Sequence, residues 1–288
     1  MRVIGSESQP TRQSGESASV GPIAFIGAGQ MGAPMVRRLL AAQLDVTLHA
    51  RRPEVLDTFA ALGARTSPSL AEVVGGAEII ISCLFDEPQV EQGLLGTDGV
   101  IGLAQPGTVL VSHTTIGLQL LSKVERAAAD RGLLLLDAPV SGAPGDIEAG
   151  QLTILVGGEA TAIDRALPAL QAYGNAVPTG GVGSASRVKL VNNLLFAVNS
   201  QTAAAAALLG RELGIEDSAL FAGLLHCSAA SRAMASMDAL GSLEEFARLG
   251  GKYLRKDVSA VLRAAADAGA DPSLLASIVR DGPLPLTG

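Results

Sequence analysis

Several things are scarce in this chain. Cysteine occurs twice, as Cys83 and Cys227, far apart and at no disulfide or metal spacing, so two free thiols of a reducing cytoplasm are expected. With only three histidines besides, no metal site is expected. Basic residues are too few for a nucleic-acid surface: the formal charge is −7, which still permits a local pocket for a phosphate. No apolar run approaches the roughly eighteen residues of a membrane span. The longest, "LLFAVNSQTAAAAALLG", is interrupted by Asn199, Ser200, Gln201 and Thr202. The first twenty residues, rich in Ser, Gly and charge, hold no apolar core of a signal peptide and read as a disordered tail, residues 1–20. Lysine is spent sparingly, four against seventeen arginines.

What is present is an apolar chain, 48% hydrophobic and 17% charged over 288 residues, enough for one large domain or two ordinary ones. From Pro22 short apolar runs alternate with helical patterns: "IAFIG", "DVTLHA", "AEIIISCL", "GTVLVSH", "LLLLDAPV" and "LTILVGG" read as strands. Strands apolar throughout, each followed by a helix, indicate a parallel sheet covered on both faces. After about residue 183 the strand signals stop. Residues 186–213 form one long apolar helix, and "DSALFAGLLH", "SLEEFARLG" and "KYLRKDVSAVLRAAADAG" read as further helices. The division expected is an α/β domain over 21–183 and an all-α domain over 184–288, with Gly180, Gly181 and Gly183 at the boundary.

"GAGQMG", Gly27, Ala28, Gly29, Gln30, Met31 and Gly32, is a G-x-G-x-x-G directly after a strand and opening a helix. Gly27 permits the tight turn, Gly29 lets the backbone approach a pyrophosphate, and Gly32 allows close helix–strand packing. The α/β half therefore reads as a Rossmann-type doubly wound sheet. The second strand ends "LHARRPE", without the carboxylate that would bind a free ribose 2′-hydroxyl. Arg51 and Arg52 follow instead, and a guanidinium suits a 2′-phosphate, so NADP(H) is expected in preference to NAD(H).

In "SASRVKLVNN" Lys189 and Asn193 are i and i+4 on the long helix, with Asn192 adjacent. A lysine among apolar residues has its charged form disfavoured, which brings its pKa toward the range useful for proton transfer. The competing reading is a lysine that snorkels from a core helix to water.

Four motifs in order, the glycine loop, "DAPVSGAPGDIEAGQLTILVGG" (137–158), "GSASRVKLVNN" (183–193) and "YLRKDV" (253–258), resemble the β-hydroxyacid dehydrogenases, from about residue 22 to 275. That family includes 3-hydroxyisobutyrate dehydrogenase, tartronate semialdehyde reductase and the glyoxylate/succinic semialdehyde reductases. The resemblance implies that Lys189 is the general acid in reduction and the base in the reverse direction. Asn193 would bind substrate oxygens beside it, and Ser141, Gly142 and Ala143 would hold the substrate carboxylate, largely through backbone N–H groups and the Ser hydroxyl. Thr115 would lie against the nicotinamide, Leu84 and Phe85 close to the cofactor, and Lys256 would come from the helical domain to close the cleft. The substrate implied is a small carboxylate-bearing aldehyde or hydroxyacid, and the assembly a homodimer or homotetramer built through the helical domains.

The chain departs from the family pattern at Gly117, where a proline usually follows the Ser-Thr pair, at Ala143 in place of glycine, and in its C-terminal tail. Two other readings share the fold. In imine reductases the lysine is typically replaced by Asp or Tyr, and silent NADP-binding scaffolds tend to lose it, so Lys189 counts against both. His113 reads as a hydrogen-bonded loop histidine, the adjacent His226 and Cys227 as core packing, and Asp137 and Asp146 as flanks of the substrate loop.

Overall fold

The computed structural model describes residues 20–286, so the expected tail lies almost wholly outside the described residues. Among the described residues nine strands occur in chain order: β1 Ile23–Ile26, β2 Val46–His49, β3 Arg65–Thr66, β4 Ile79–Ser82, β5 Val109–Ser112, β6 Leu134–Asp137, β7 Val140–Ser141, β8 Leu152–Gly157 and β9 Gly174–Gly180. The helices among them are α1 Gly32–Ala41, α2 Pro53–Ala61, α3 Leu70–Val74, α4 Glu87–Leu95, α5 Val100–Leu103, α6 Leu118–Asp130, α7 Pro144–Glu148 and α8 Ala160–Gln171. Then come only helices: α9 Ser184–Glu212, α10 Asp217–Leu224, α11 Arg232–Leu240, α12 Leu243–Asp267 and α13 Ser273–Asp281.

Strands β3-β2-β1-β4-β5-β6 lie side by side in that order and pair in parallel, the doubly wound arrangement. The central strands β1, β4 and β5 are buried at every position, because helices cover both faces. Two apolar clusters form, one per face, centred on Phe25, Leu48 and Ile81 and on Ile26, Ile80 and Leu110. Beyond β6 the sheet turns mixed: β8 runs antiparallel to β6 and β7, and β9 is parallel to β8. "LLLLDAPV" therefore is two strands, broken at Ala138–Pro139, and β9 and the two-residue β3 carry too little apolar pattern to be read from sequence.

A third core lies under α9, with Leu194, Phe221, Met237, Phe246 and Val258. "SLEEFARLG" and "KYLRKDV" are one continuous helix, α12, not two. Leu243, Phe246, Leu254, Val258 and Val261 all bury on its inner face, and that packing outweighs the cost of about 1 kcal/mol for each of Gly250 and Gly251. His226 and Cys227 are exposed in the turns after α10, which corrects the expectation that they pack in the core; α10 ends at Leu224, so the helical period no longer directs them inward. The C-terminal segment is tied down by Gln201, whose buried amide donates to the carbonyls of Val279 (2.7 Å) and Leu284 (2.8 Å) and accepts from the Leu284 amide (2.7 Å). Among the described residues no helix is long and apolar enough to cross a membrane.

Candidate active site

The glycine loop joins β1 to α1 at the carboxyl edge of the sheet, beside the β1/β4 switch point where doubly wound sheets bind ligands. Gly27 has φ +96°, and a Cβ there would lie 2.5 Å from the Cys83 carbonyl oxygen. A Cβ on Gly32 would lie 2.0 Å from the Gly27 oxygen, so α1 can start only on glycine. Gly29 differs: it is exposed, and a Cβ there would meet no protein atom within 4 Å. That opening stands at the N-terminus of α1, where unpaired amides and the helix dipole favour an anion. Arg51 and Arg52, past the end of β2, are both exposed and form no salt bridge among the described residues.

Leu84 and Phe85 follow β4. Leu84 is fixed by a residue the sequence reading passed over: its amide donates to Thr114 Oγ1 at 3.0 Å, and the Thr114 hydroxyl donates to its carbonyl at 2.9 Å. The neighbouring Thr115 is half-buried. The Phe85 ring is exposed, and Lys256 Nζ from α12 stands 5.4 Å from its centroid, so two residues expected at the cofactor from opposite halves of the chain meet. His113 is buried, with Nδ1 2.6 Å from the Ala138 carbonyl oxygen and Nε2 2.8 Å from the Tyr173 hydroxyl. A carbonyl only accepts, so Nδ1 carries the proton and Tyr173 donates to Nε2. Burial drops the His113 pKa to about 4, against the bond to Ala138, and keeps the ring neutral.

Ser141 ends β7, and Gly142 has φ +143° with the Asp146 carboxylate 2.8 Å from where a Cβ would be. Asp146 does more than flank this loop: its Oδ2 accepts the Ala143 amide at 2.7 Å. The Ala143 N–H, expected to be available to a substrate carboxylate, is therefore committed inside the protein. The sequence order Ala-Pro-Gly-Asp carries the signal that could have been read, a carboxylate three residues into a short helix folding back on the preceding amide.

Lys189 and Asn193 lie on α9, one turn apart. Lys189 is half-buried and Asn193 is 8% exposed. Burial pushes the Lys189 pKa below its ordinary value, opposed by the carboxylate of Asp257 on α12, whose own pKa is raised by burial and held back by Lys189 and Lys256. Lys189 makes no salt bridge within 4 Å among the described residues. Asn193 Oδ1 accepts from Asn192 Nδ2 at 3.2 Å, which leaves the Asn193 amide group as a donor. Asp137, at the end of β6, accepts from both the amide and the hydroxyl of Ser186 in the first turn of α9. Neither Asp257 nor Ser186 was singled out from sequence, since their roles depend on what packs beside them. Among the described residues no cluster of His, Cys, Asp or Glu could hold a metal.

Residues 22–182 match the family model for the NAD binding domain of 6-phosphogluconate dehydrogenase. The chain is 39% identical over 195 residues to the NAD-dependent L-serine dehydrogenase of Pseudomonas aeruginosa, covering 67% of this chain and 65% of that protein. It is 37% identical over 199 residues to the 3-hydroxyisobutyrate dehydrogenase of the same organism, covering 69% of this chain and 67% of that protein. The matched stretch thus spans 65% and 67% of the length of these two relatives. A solved structure of 3-hydroxyisobutyrate dehydrogenase from Mycobacterium tuberculosis with L-serine superposes with TM-score 0.80 at 28% identity, over 91% of this chain and 92% of that one. With the fold, the glycine loop and the motif order in agreement, the chain belongs to the β-hydroxyacid dehydrogenase family.

Proposed function

We propose that this chain is an NADP-dependent oxidoreductase that moves a hydride between nicotinamide and a small β-hydroxyacid or its semialdehyde. The observation that carries the reading is the half-buried, desolvated Lys189 one helical turn before the buried amide of Asn193. The open space at Gly29, the helix N-terminus behind it and the exposed Arg51 and Arg52 suit a dinucleotide bearing a 2′-phosphate. A bound nicotinamide supplies or accepts the hydride. Lys189 delivers a proton to the carbonyl oxygen during reduction, and takes it from the hydroxyl in oxidation. Its lowered pKa makes the ammonium a better acid near neutral pH. Asn193 donates to the same oxygen and holds it in line. Ser141 and Gly142 hold the substrate carboxylate; Ala143, its amide engaged by Asp146, narrows that pocket with its methyl group.

Residues 21–183 serve as the nucleotide-binding domain and 184–288 as the substrate and dimerisation domain. Leu208, Leu209 and Leu213 of α9 and the residue after it are 41%, 56% and 69% exposed, a surface suited to a second copy in a homodimer or homotetramer. Light scattering on a micromolar solution tests this, and a lone 29 kDa species overturns it. The free thiols at Cys83 and Cys227 support a reducing, cytoplasmic setting.

The deciding experiment follows NADPH absorbance with glyoxylate, succinic semialdehyde, tartronate semialdehyde and methylmalonate semialdehyde, then with cyclic imines. Turnover of an aldehyde acid is expected. Lys189→Ala should bind NADPH normally and lose roughly 10²–10⁴ in kcat. Lys189→Arg should rescue little, because a guanidinium does not give up its proton at neutral pH. A Lys189→Ala enzyme with full activity overturns the mechanism.

A further inference from the structure

Asp137 is the last residue of β6 and is 2% exposed. A carboxylate removed from water needs compensating donors. It finds them in α9: the Ser186 amide donates to Oδ2 at 2.8 Å and the Ser186 hydroxyl to Oδ1 at 2.7 Å. Ser186 is 1% exposed and sits third in the helix, where the helix leaves its own amides unpaired and presents the positive end of its dipole. Asp137 is therefore a helix cap supplied by another element. Burial raises its pKa, while the Ser186 bonds, the Gly183 amide and the Arg187 guanidinium hold that rise back.

A second, independent feature marks the same joint. Gly157 of β8 is the register partner of Asp137. A Cβ on Gly157 would lie 2.7 Å from both the Gly181 carbonyl oxygen and Ser184 Oγ, and 3.2 Å from the Ala185 amide. The first turn of α9 thus rests directly on the sheet at Gly157 and is bonded to it at Asp137.

Helix geometry carries this seat to the reacting groups. At about 100° per residue, Asn193 falls within about 20° of the Ser186 azimuth and Lys189 within about 60°, so the three share a face. In the other direction β6 continues through Ala138 and Pro139 into the loop at Ser141. The strand leading to the substrate loop and the helix carrying the proposed acid are bonded together at Asp137.

We propose that Asp137 is a positioning residue for the reaction: through Ser186 it fixes the first turn of α9, and with it Lys189, relative to the Ser141–Ala143 loop. This rests on the reading of Lys189 as the acid. Placement matters at this scale, since an error of about 1 Å at a reacting group can cost roughly a hundredfold in rate.

The test uses full-length Asp137→Ala, Asp137→Asn, Gly157→Ala, Lys189→Ala and the double variant Asp137→Ala/Lys189→Ala. Rates are taken per NADPH-binding site, with the best aldehyde among the four named above, so unfolded protein does not count. Asp137→Ala should lose roughly 10- to 100-fold in kcat while its Kd for NADPH stays within about threefold of wild type. Asp137→Asn should recover most of that rate, because its Oδ1 can accept the Ser186 amide and its Nδ2 can donate to the hydroxyl. Gly157→Ala, which leaves the carboxylate in place but displaces the helix, should lower kcat in the same way. The double variant should be no slower than Lys189→Ala alone, since positioning an absent group has no value. An Asp137→Ala enzyme that melts earlier but keeps the wild-type rate per site overturns the proposal, as does full additivity with Lys189→Ala. An inactive Lys189→Ala beside an active Asp137→Ala overturns the positioning role alone. An active Lys189→Ala overturns the acid assignment and this inference with it. Should Asp137→Ala not fold, Gly157→Ala decides by the same criterion.

Discussion

Lys256 Nζ stands 5.4 Å from the centre of the Phe85 ring, so a cation on α12 rests against an aromatic ring that is otherwise 73% exposed on the loop after β4. The contact bridges the helical half of the chain and the edge of the sheet. At an exposed site such a pair contributes about 0.5–1 kcal/mol. Lys256→Met and Phe85→Leu should each raise KM for NADPH by about two- to fivefold, and the two together should do little more than either. Steady-state KM values for the two single variants and the double check this; independent, multiplicative effects mean that the pair does not act as one latch.

Arg51 and Arg52 should set cofactor choice. NADPH should be used better than NADH, and Arg51→Ala or Arg52→Ala should raise KM for NADPH by one to two decades, the worth of a charge-assisted bond of about 1.5–3 kcal/mol. KM for NADH should hardly move. A wild-type enzyme that prefers NADH contradicts the phosphate assignment, and the relative named as an NAD-dependent L-serine dehydrogenase makes that comparison worth measuring first.

The glycine loop separates structure from binding within six residues. A Cβ on Gly32 would collide with the Gly27 oxygen at 2.0 Å, whereas one on Gly29 would meet nothing within 4 Å. Gly32→Ala should therefore destabilise the protein. Gly29→Ala should melt like wild type yet bind NADPH about tenfold or more weakly, because its methyl occupies the space a pyrophosphate needs. Thermal melts and fluorescence titration of NADPH distinguish these outcomes, and undiminished binding by Gly29→Ala removes the loop from the cofactor site.

His113 gives the fold an acid-sensitive point. Its pKa falls from about 6.5 unfolded to about 4 folded, so between these values the unfolded chain binds the extra proton and the native state does not. Stability is thus lost as pH falls through that window, by up to about 3 kcal/mol, and the loss is complete near pH 4. Asp137 and Asp257, whose pKa values are raised, act in the opposite sense, so the informative quantity is the difference between proteins. His113→Gln should be less stable at pH 7 but should lose less on acidification. Denaturant unfolding at pH 7, 5.5 and 4.5 measures this, and parallel pH dependence in both proteins refutes it.

Much of the architecture follows from local pattern. Short runs of apolar residues such as "IAFI" and the "III" of "IIIS", each followed by a helical pattern, read as strands buried on both faces, and a G-x-G-x-x-G between the first strand and helix places the binding edge. The end of strand signals near residue 180 and the long helix bearing Lys189 and Asn193 are equally legible, because periodicity reports burial wherever one face of an element is apolar.

Local pattern could not say which donor meets which acceptor across the fold. Ser186 looks like any small residue in a helix until Asp137 reaches it from a strand 49 residues earlier. His113 is neutral because burial strips water from a ring held between the Tyr173 hydroxyl, 60 residues on, and the Ala138 carbonyl, whose hydrogen bond opposes that shift without reversing it. The Ala143 amide is withdrawn from the substrate loop by Asp146, and α12 runs unbroken through two glycines because its inner face is filled by residues from α9 and its neighbours. Hydrogen bonds and desolvation act over about 3–4 Å in space whatever the separation along the chain, so these pairings, and the burial that lowers the Lys189 pKa and raises that of Asp137, were decided only when the tertiary structure brought the partners together.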